Sequence, residues 1–309
     1  MSINLKFAAM ALALSTLSAQ QDTIFRTESR LVVLHATAED KEGRLVMDVP
    51  QSAFQVYENG VRQQIKSFRK EDVPVSLGLI IDGSASMTDK RARVAAAALA
   101  LVQSSHPEDE VFIVNFDESP TLSVDFTNDI AKMRNGLARI DSRGGTAMRD
   151  ALRTAIEHLK GRDKKEKKVL VVVTDGNDNS SLEKLETVIR AAQHGEVLVY
   201  AIGLLADEAP REAEKAKQAL ESVARATGGQ TYFPKDVSEI DRIAPQIASE
   251  IRNQYIVTYV PDNQDLDGSF RQIRLIVDAP GVSTVRTRSG YYATPDRQNP
   301  AKSPASSGE

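Results

Sequence analysis

The chain of 309 residues contains no cysteine and no tryptophan, and aromatic residues make up only 5% of it. Without cysteine it can form no disulfide bond, no cysteine-ligated zinc site and no thiol nucleophile. A net charge of −4 and few aromatic residues argue against a nucleic-acid partner, and we predict none. Hydrophobic residues at 41% and charged residues at 27% are ordinary for a globular protein of one large or two modest domains.

Residues 1–19 have the pattern of a secretory signal peptide. A short basic start at Met1–Lys6 precedes an apolar stretch at 7–17, and small residues follow as far as Ala19. The alternative is a short buried helix. This stretch is too short to span a bilayer comfortably, and no other segment has the required length. We therefore expect an exported protein, periplasmic or secreted, with no transmembrane segment in the mature chain.

Residues 74–253 alternate apolar, strand-like runs with helical patterns. The helical patterns cover 91–103, 129–137, 148–159, 182–193, 211–226 and 240–252. Nearly continuous apolar strands separated by helices predict an α/β domain with a doubly wound, mostly parallel sheet that is covered on both faces. The run 121–126 is expected to form a short antiparallel edge strand.

The two flanks, residues 24–73 and 254–293, consist of β-branched and aromatic runs separated by turn residues. Asn59-Gly60, between two such runs, is a strong hairpin signal. Neither flank alone can bury two faces, so we expect the N-terminal and C-terminal flanks to pair into one small β-sandwich. The tail, 294–309, is rich in proline and serine and is expected to be disordered.

Two apolar strands of the middle region end in side chains that carry oxygen. The run LGLIIDGSASM reaches Asp82 at the end of its strand and continues with Ser84 and Ser86, and the run VLVVVTD ends in Asp175. In a parallel sheet both aspartates would lie at the carboxyl edge, where open α/β sheets place their ligand sites. Carboxylate and hydroxyl oxygens suit a hard divalent cation, with Mg²⁺ expected and Mn²⁺ or Ca²⁺ as alternatives.

These residues resemble the von Willebrand factor type A domain, which has the fold of the integrin I domain. The D-x-S-x-S motif of that family is present as Asp82, Ser84 and Ser86. Its later threonine matches Thr146 in RGGTAMRDAL, and its last aspartate matches Asp175 in VVTDGND. The layout, with β-rich flanks and a closing R-S-G-Y-Y segment, is similar to that of exported bacterial proteins that enclose such a domain.

The resemblance extends over residues 74–253 and implies a metal-ion-dependent adhesion site built from the five matching residues. Ser84 and Ser86 would bind the cation directly, and the two aspartates would bind it directly or through water. Thr146 would reach it directly or through one water molecule. One coordination position would stay open for an Asp or Glu carboxylate of a protein partner. The resemblance therefore implies a protein-binding module of the adhesion type and not an enzyme.

Three further aspartates are candidates for the rim of this site or for indirect contact with the cation, namely Asp117, Asp150 and Asp178. Each also has a plainer role. Asp117 suits a solvated loop, Asp150 suits the first turn of a helix, where the helix dipole favours a carboxylate, and Asp178 suits a loop or a helix cap. The D-x-S-x-S segment, taken alone, is also compatible with a capped turn.

Two other functions stay open at this point. A structural or assembly protein would use the metal only for stability, and the sheet edges of the flanks would contact another strand. A Mg²⁺-dependent hydrolase with Asp82 as nucleophile is disfavoured, because the position that should carry a second carboxylate is Ser84, which cannot transfer protons at neutral pH. The sequence contains no G-x-S-x-G motif and no phosphate-binding loop.

Overall fold

A computed structural model describes residues 31–139, 144–160 and 167–294. The signal peptide expected at 1–19 and nearly all of the tail expected at 294–309 lie outside these ranges. The strands are β1 (Val32–Glu39), β2 (Phe54–Glu58), β3 (Val61–Gln63), β4 (Ile65–Lys70), β5 (Val75–Asp82), β6 (Glu110–Phe116), β7 (Pro120–Thr127), β8 (Lys167–Thr174), β9 (Val197–Gly203), β10 (Thr231–Tyr232), β11 (Tyr255–Tyr259), β12 (Phe270–Val277), β13 (Thr284–Arg286) and β14 (Gly290–Tyr292). The helices are α1 (Arg91–Gln103), α2 (Ile130–Ala138), α3 (Met148–Lys160), α4 (Leu185–His194), α5 (Pro210–Thr227) and α6 (Ile240–Arg252). None of the helices in the described ranges is long and apolar enough to cross a bilayer.

The central sheet has six strands in the order β10-β9-β8-β5-β6-β7 and is parallel except for β7. Every residue of β5 and of β9 is buried, because helices cover both faces. Helices α1, α2 and α6 pack on one face, and α3, α4 and α5 pack on the other. The predicted α/β class with a doubly wound, mostly parallel sheet is confirmed. The run expected as an antiparallel edge strand lies within β7.

The flanks form a β-sandwich of two four-stranded sheets, with strand orders β13-β1-β11-β4 and β14-β12-β2-β3. Each sheet combines strands from both flanks, since β1 pairs with β11 and β2 pairs with β12, both antiparallel. Buried side chains such as Leu34, Val56 and Val257 belong to one core cluster of the sandwich. The predicted pairing of the flanks is confirmed, because each flank supplies the partner strands that the other lacks.

The hairpin predicted at Asn59-Gly60 connects β2 and β3, which pair antiparallel. Asn59 and Gly60 have φ angles of 48° and 84°, both in the left-handed region. Two consecutive positive φ angles are typical of the type I′ turn, whose twist matches that of the strands it joins.

One helix begins later than the sequence pattern indicates. The pattern predicts a helix from residue 182, whereas α4 begins at Leu185. The backbone N–H groups of Leu182 and Glu183 donate to the carboxylate of Asp150 at 3.0 and 2.8 Å. Because Asp150 accepts from these groups, residues 182–183 stay in the loop that precedes the helix. Hydrophobic periodicity cannot reveal a contact with a side chain so distant in sequence.

A buried ion cluster joins the α/β domain to the sandwich. Arg286 of β13 donates from Nη2 to Glu39 of β1 at 2.5 Å and to Glu250 of α6 at 2.8 Å. Its Nη1 donates to the carbonyl oxygen of Gly229 at 3.0 Å, and the hydroxyl of Tyr232 donates to Glu250. The side chains of Arg286, Glu39 and Glu250 are only 14%, 10% and 2% exposed. These three residues are called the Arg286 cluster below.

Candidate metal site

The carboxyl edge of the central sheet brings two of the predicted aspartates together. Asp82 is the last residue of β5, and Asp175 follows β8, the parallel strand beside it. Both residues are buried, with exposures of 1% and 3%. The hydroxyl of Thr174 donates to Oδ2 of Asp82 at 2.5 Å. The register of two neighbouring parallel strands is therefore what places the acids side by side.

The turn after β5 carries both serines toward these aspartates. The backbone N–H of Ser84 donates to Oδ1 of Asp82 at 2.8 Å, a local bond that aspartate favours in turns. The Oγ atoms of Ser84 and Ser86 lie 3.1 Å apart, and the hydroxyl of Ser86 donates to Oδ1 of Asp175 at 2.7 Å. Ser84 is buried whereas Ser86 is exposed, so the group of oxygens opens to solvent on the Ser86 side.

Thr146 precedes α3 and packs against the turn that follows β8. Its backbone N–H donates to Oδ1 of Asn179 at 2.9 Å, and its carbonyl oxygen accepts from the backbone N–H groups of Asn179 and Ser180 at 3.0 and 3.2 Å. A Cβ placed on Gly176 would lie 3.9 Å from Oγ1 of Thr146 and 3.2 Å from Oε2 of Glu208. The Thr146 hydroxyl therefore lies next to Gly176, the residue that follows Asp175.

The structure therefore gathers all five sequence-predicted residues at one edge of the sheet. They come from three segments of the chain: the turn after β5, the segment before α3 and the turn after β8. We call them the sheet-edge site, namely Asp82, Ser84, Ser86, Thr146 and Asp175.

Two of the three candidate rim residues tie loops to the start of α3. Asp150 lies in the first turn of α3 and accepts from the backbone of residues 182–183, as described above. Asp178 accepts from the backbone N–H of Arg149 at 2.8 Å and from its guanidinium at 3.0 Å, and also from the hydroxyl of Ser181 at 2.7 Å. These bonds hold the loop after β8 against α3, and through it the backbone of Thr146.

The third candidate, Asp117, supports the Thr146 segment through its backbone. Its carbonyl oxygen accepts from the N–H of Ala147 at 2.7 Å. Its carboxylate accepts from the backbone N–H of Ser119 at 3.1 Å and so closes the turn between β6 and β7. The main chain of Asp117 thus contacts the residue that follows Thr146.

Burial sets the electrostatics of the site. Removal from water raises the pKa of Asp82 to about 6, and the nearby negative charge of Asp175 acts in the same direction. Hydrogen bonds from Thr174 and Ser84 oppose this rise by stabilising the carboxylate. A cation close to these two acids would stabilise the ionised form further.

Lys90 is a member of the neighbourhood that sequence reasoning missed. Its ammonium lies 2.8 Å from Oδ2 of Asp175 and 3.4 Å from Oδ2 of Asp207. Lys90 occupies the N-cap position of α1 without a capping side-chain hydrogen bond, and the first turn of this helix holds no acidic residue. A cation is unfavourable at a helix N-terminus, so the two aspartates and not the helix favour the ammonium at this place.

The donor set fits a hard divalent cation. Two carboxylates balance a charge of +2, and hydroxyl oxygens from serine and threonine are of the type that Mg²⁺ accepts. In the described parts of the chain, no group of three or more His, Asp or Glu side chains is arranged to hold a metal ion. A cation at this edge would therefore depend on the hydroxyls of Ser84, Ser86 and Thr146 as well as on the two carboxylates. The ammonium of Lys90 beside Asp175 agrees with an electrostatic preference for positive charge here.

Two solved structures with a TM-score of 0.50 share the fold at low sequence identity. A von Willebrand factor type A protein from Catenulispora acidiphila aligns with a TM-score of 0.50 and 15% identity over 86% of this chain and 75% of its own. Proximal thread matrix protein 1 of the mussel byssus aligns with a TM-score of 0.50 and 13% identity over 63% of this chain and 51% of its own. The PilB minor pilin from Streptococcus sanguinis has a TM-score of 0.47 at 15% identity, covering 59% of this chain. That alignment spans 62% of the pilin, less than two thirds of its length.

A family model supports the same assignment from sequence. The comparison with curated proteins found no similar sequence. Residues 77–177 match the family model of the von Willebrand factor type A domain, and this stretch includes all five residues of the sheet-edge site. Over residues 77–177 the α/β domain therefore matches the von Willebrand factor type A domain, and the two flanks of the chain form a β-sandwich.

Proposed function

We propose that this protein binds a protein partner through a divalent cation, Mg²⁺ in the first instance, held at the sheet-edge site. The cation bridges to an Asp or Glu carboxylate of the partner. The proposal includes an exported location, periplasmic or secreted, which follows from the signal peptide expected at 1–19. The fold supports the coarser part of this proposal, a protein-interaction module.

One observation carries the proposal. Ser86 links the two sides of the site, because its hydroxyl donates to Asp175 at 2.7 Å and lies 3.1 Å from the hydroxyl of Ser84. Side chains from the ends of two neighbouring strands thus meet at a point that is exposed at Ser86. A cation held there by protein oxygens on the buried side would face solvent on the other side.

The residues of the site have separable roles in this proposal. Ser84, Ser86 and Thr146 would offer hydroxyl oxygens to the cation. Asp82 already accepts hydrogen bonds on both of its oxygens, at 2.8 Å from Ser84 and 2.5 Å from Thr174, so it would act through water molecules that it orients. Asp175 would supply the second negative charge. When bound, the metal supplies an electrophilic centre that a carboxylate from another molecule can join.

A binding role fits the chemistry of Asp82 better than catalysis does. A nucleophilic carboxylate needs a free oxygen directed at the substrate, whereas both oxygens of Asp82 are engaged and the residue is 1% exposed. The neighbour that would have to act as a general acid or base is a serine at position 84, which does not titrate near neutral pH. We therefore propose no catalytic step at this site.

The test is a binding experiment with purified protein immobilised on a surface. An extract of the cell envelope and medium of the producing organism is passed over it with Mg²⁺ and again with EDTA. Specific partners should be retained with Mg²⁺, released by EDTA and absent from a surface that carries Asp82→Asn. Retention that is equal with EDTA, or equal on Asp82→Asn, would contradict metal-dependent binding.

A matched control variant distinguishes the loss of the metal site from the loss of one negative charge. Asp89 is exposed and lies on the same turn, so Asp89→Asn removes an identical charge outside the five residues. This control variant should retain the same proteins as the unmodified chain. If Mg²⁺ raises thermal stability but no protein is retained on either surface, the structural role with a stabilising metal is the correct one.

A further inference from the structure

We propose that Lys90 is a built-in competitor of the divalent cation, so that the affinity of the sheet-edge site for metal is set by the displacement of its ammonium from Asp175 toward Asp207. The inference rests on the metal-binding part of the proposed function. It adds a regulating residue that lies outside the five oxygen donors.

Lys90 forms a close ion pair with Asp175. The ammonium of Lys90 lies 2.8 Å from Oδ2 of Asp175, while Ser86 donates to Oδ1 of the same carboxylate at 2.7 Å. The two side chains in the ion pair are 17% and 1% exposed, so water screens their attraction poorly. A divalent cation near Asp175 would have to share this carboxylate with a second positive charge.

Lys90 also lies close to a second carboxylate, that of Asp207. Oδ2 of Asp207 lies 3.4 Å from the same ammonium, and the Asp207 side chain is 81% exposed. A small movement away from Asp175 would exchange a buried partner for one at the surface. The flexible four-carbon stem of lysine permits such a movement more readily than the planar fork of arginine.

Lys90 lies at the N-terminus of α1, where a positive charge is unfavourable. The positive end of the α1 dipole repels a cation, and the first turn of α1 has no acidic residue to offset this. The ammonium is therefore retained at the site by Asp175 and Asp207 and not by the helix. Whatever neutralises Asp175 also removes the main attraction that holds Lys90 in place.

The experiment measures Mn²⁺ binding by the signal of free Mn²⁺ in electron paramagnetic resonance, on the mature chain and on Lys90→Gln. A neighbouring charge changes the affinity of a carboxylate for a proton by about 10- to 1000-fold, so we expect Lys90→Gln to bind Mn²⁺ roughly tenfold tighter or more. Lys90→Arg, which keeps the charge, should not bind more tightly than the unmodified chain. Arg93→Gln serves as the matched control, because Arg93 lies on the same helix and pairs with Asp241 at 2.7 Å.

The outcomes distinguish this inference from the proposed function. If the unmodified chain and Lys90→Gln bind Mn²⁺ with the same measurable affinity, Lys90 does not compete with the cation. The proposed metal site would then still be supported. No Mn²⁺ binding by either protein would overturn both. If Arg93→Gln gains as much Mn²⁺ affinity as Lys90→Gln, the gain comes from the change in net charge. This result would also overturn the inference. Asp207→Asn should weaken Mn²⁺ binding several-fold, since the displaced ammonium loses its second partner, and an unchanged affinity would contradict the displacement toward Asp207.

Discussion

Two buried groups of opposite charges in the described part of the chain differ in how completely their polar atoms are bonded within the protein. In the Arg286 cluster, one guanidinium is bonded to two carboxylates and to a backbone carbonyl, and the carboxylates belong to different parts of the fold. In the sheet-edge site, two carboxylates are bonded to hydroxyls, to backbone and to the ammonium of Lys90. The first group is closed inside the protein, whereas the second opens to solvent at Ser86.

We propose that the two groups have different roles, stability for the Arg286 cluster and cation binding for the sheet-edge site. A guanidinium stays protonated and its donors have a fixed geometry, which suits a permanent link between β1, α6 and β13. Hydroxyls and a single lysine are easily rearranged, which suits a place where a cation enters and leaves. The predictions below test whether the first group is needed for stability and the second for binding.

The largest effect is expected from Arg286→Met. Removing the guanidinium leaves Glu39 and Glu250 buried without their countercharge, and breaking a buried ion pair in this way costs about 3–5 kcal/mol. The free energy of unfolding, measured with urea, should fall by that amount. Adding Glu39→Gln and Glu250→Gln to the variant should restore part of the loss. A fall of less than about 1 kcal/mol would show that the cluster does not join the two parts of the fold.

The next largest effect concerns the pH dependence of stability, in which a buried lysine should differ from a buried arginine. Lys167 is buried at the start of β8 and donates to the carbonyl oxygen of Ile251, and burial lowers its pKa from 10.5 to about 7. Asp72 and Asp109 oppose this shift without cancelling it. Between those two pH values the folded protein binds fewer protons at Lys167 than the unfolded chain does. Its free energy of unfolding should therefore rise with pH over this interval.

The measurement compares the unmodified chain with Lys167→Met by urea unfolding at several pH values. Relative to the variant, the unmodified chain should gain stability on the order of 3 kcal/mol as the pH rises from about 7 to about 10. Lys160→Met, at the exposed end of α3, is the control and should leave the pH dependence unchanged. If the free energy of unfolding changes with pH in the same way for the unmodified chain and for Lys167→Met, Lys167 stays protonated when buried, as arginine does.

A smaller effect is expected when metal is removed from the sheet-edge site. Mg²⁺ at about 100 times its dissociation constant should stabilise the folded chain by about 2.7 kcal/mol, which corresponds to a rise of a few degrees in the melting temperature. EDTA should reverse the rise, and Asp82→Asn should not show it. Arg286→Met should keep the full rise despite its lower stability. A loss of the Mg²⁺ effect in Arg286→Met would show that the two groups are not independent.

The smallest effect concerns the loop that supports Thr146. In Asp150→Ala the backbone N–H groups of Leu182 and Glu183 lose their acceptor, and the free energy of unfolding should fall by about 1–2 kcal/mol. Asp241 occupies the first turn of α6 and forms an exposed ion pair with Arg93, so Asp241→Ala should cost less than about 1 kcal/mol. Equal losses would mean that Asp150 acts only as a helix-terminal charge.

The sequence predicts those features of the molecule that depend on local pattern. Apolar runs and helical periodicity predict the α/β alternation, and Asn59-Gly60 predicts the hairpin between β2 and β3. Asp82 and Asp175 can be placed at one edge because parallel strands expose their carboxyl ends together. The D-x-S-x-S spacing then indicates which hydroxyls accompany them.

Features that depend on contacts between distant residues could not be predicted. Lys90 meets Asp175, which is 85 positions away, only after α1 has packed beside the sheet edge. Arg286 and Glu39 are 247 positions apart, and no periodicity relates them. The later start of α4 has the same cause, since Asp150 binds a loop about 30 residues further along the chain. In each case a charged side chain meets a partner that only the tertiary fold supplies.

Metal binding at the sheet-edge site can be tested directly by a crystal structure of the protein grown with Mn²⁺. Anomalous diffraction data would be collected at the manganese absorption edge. We expect one anomalous peak among the oxygens of the sheet-edge site, with the ammonium of Lys90 moved away from Asp175. Well-ordered density for Ser84, Ser86 and Asp175 with no anomalous peak between them, at a Mn²⁺ concentration that saturates ordinary sites, would contradict it.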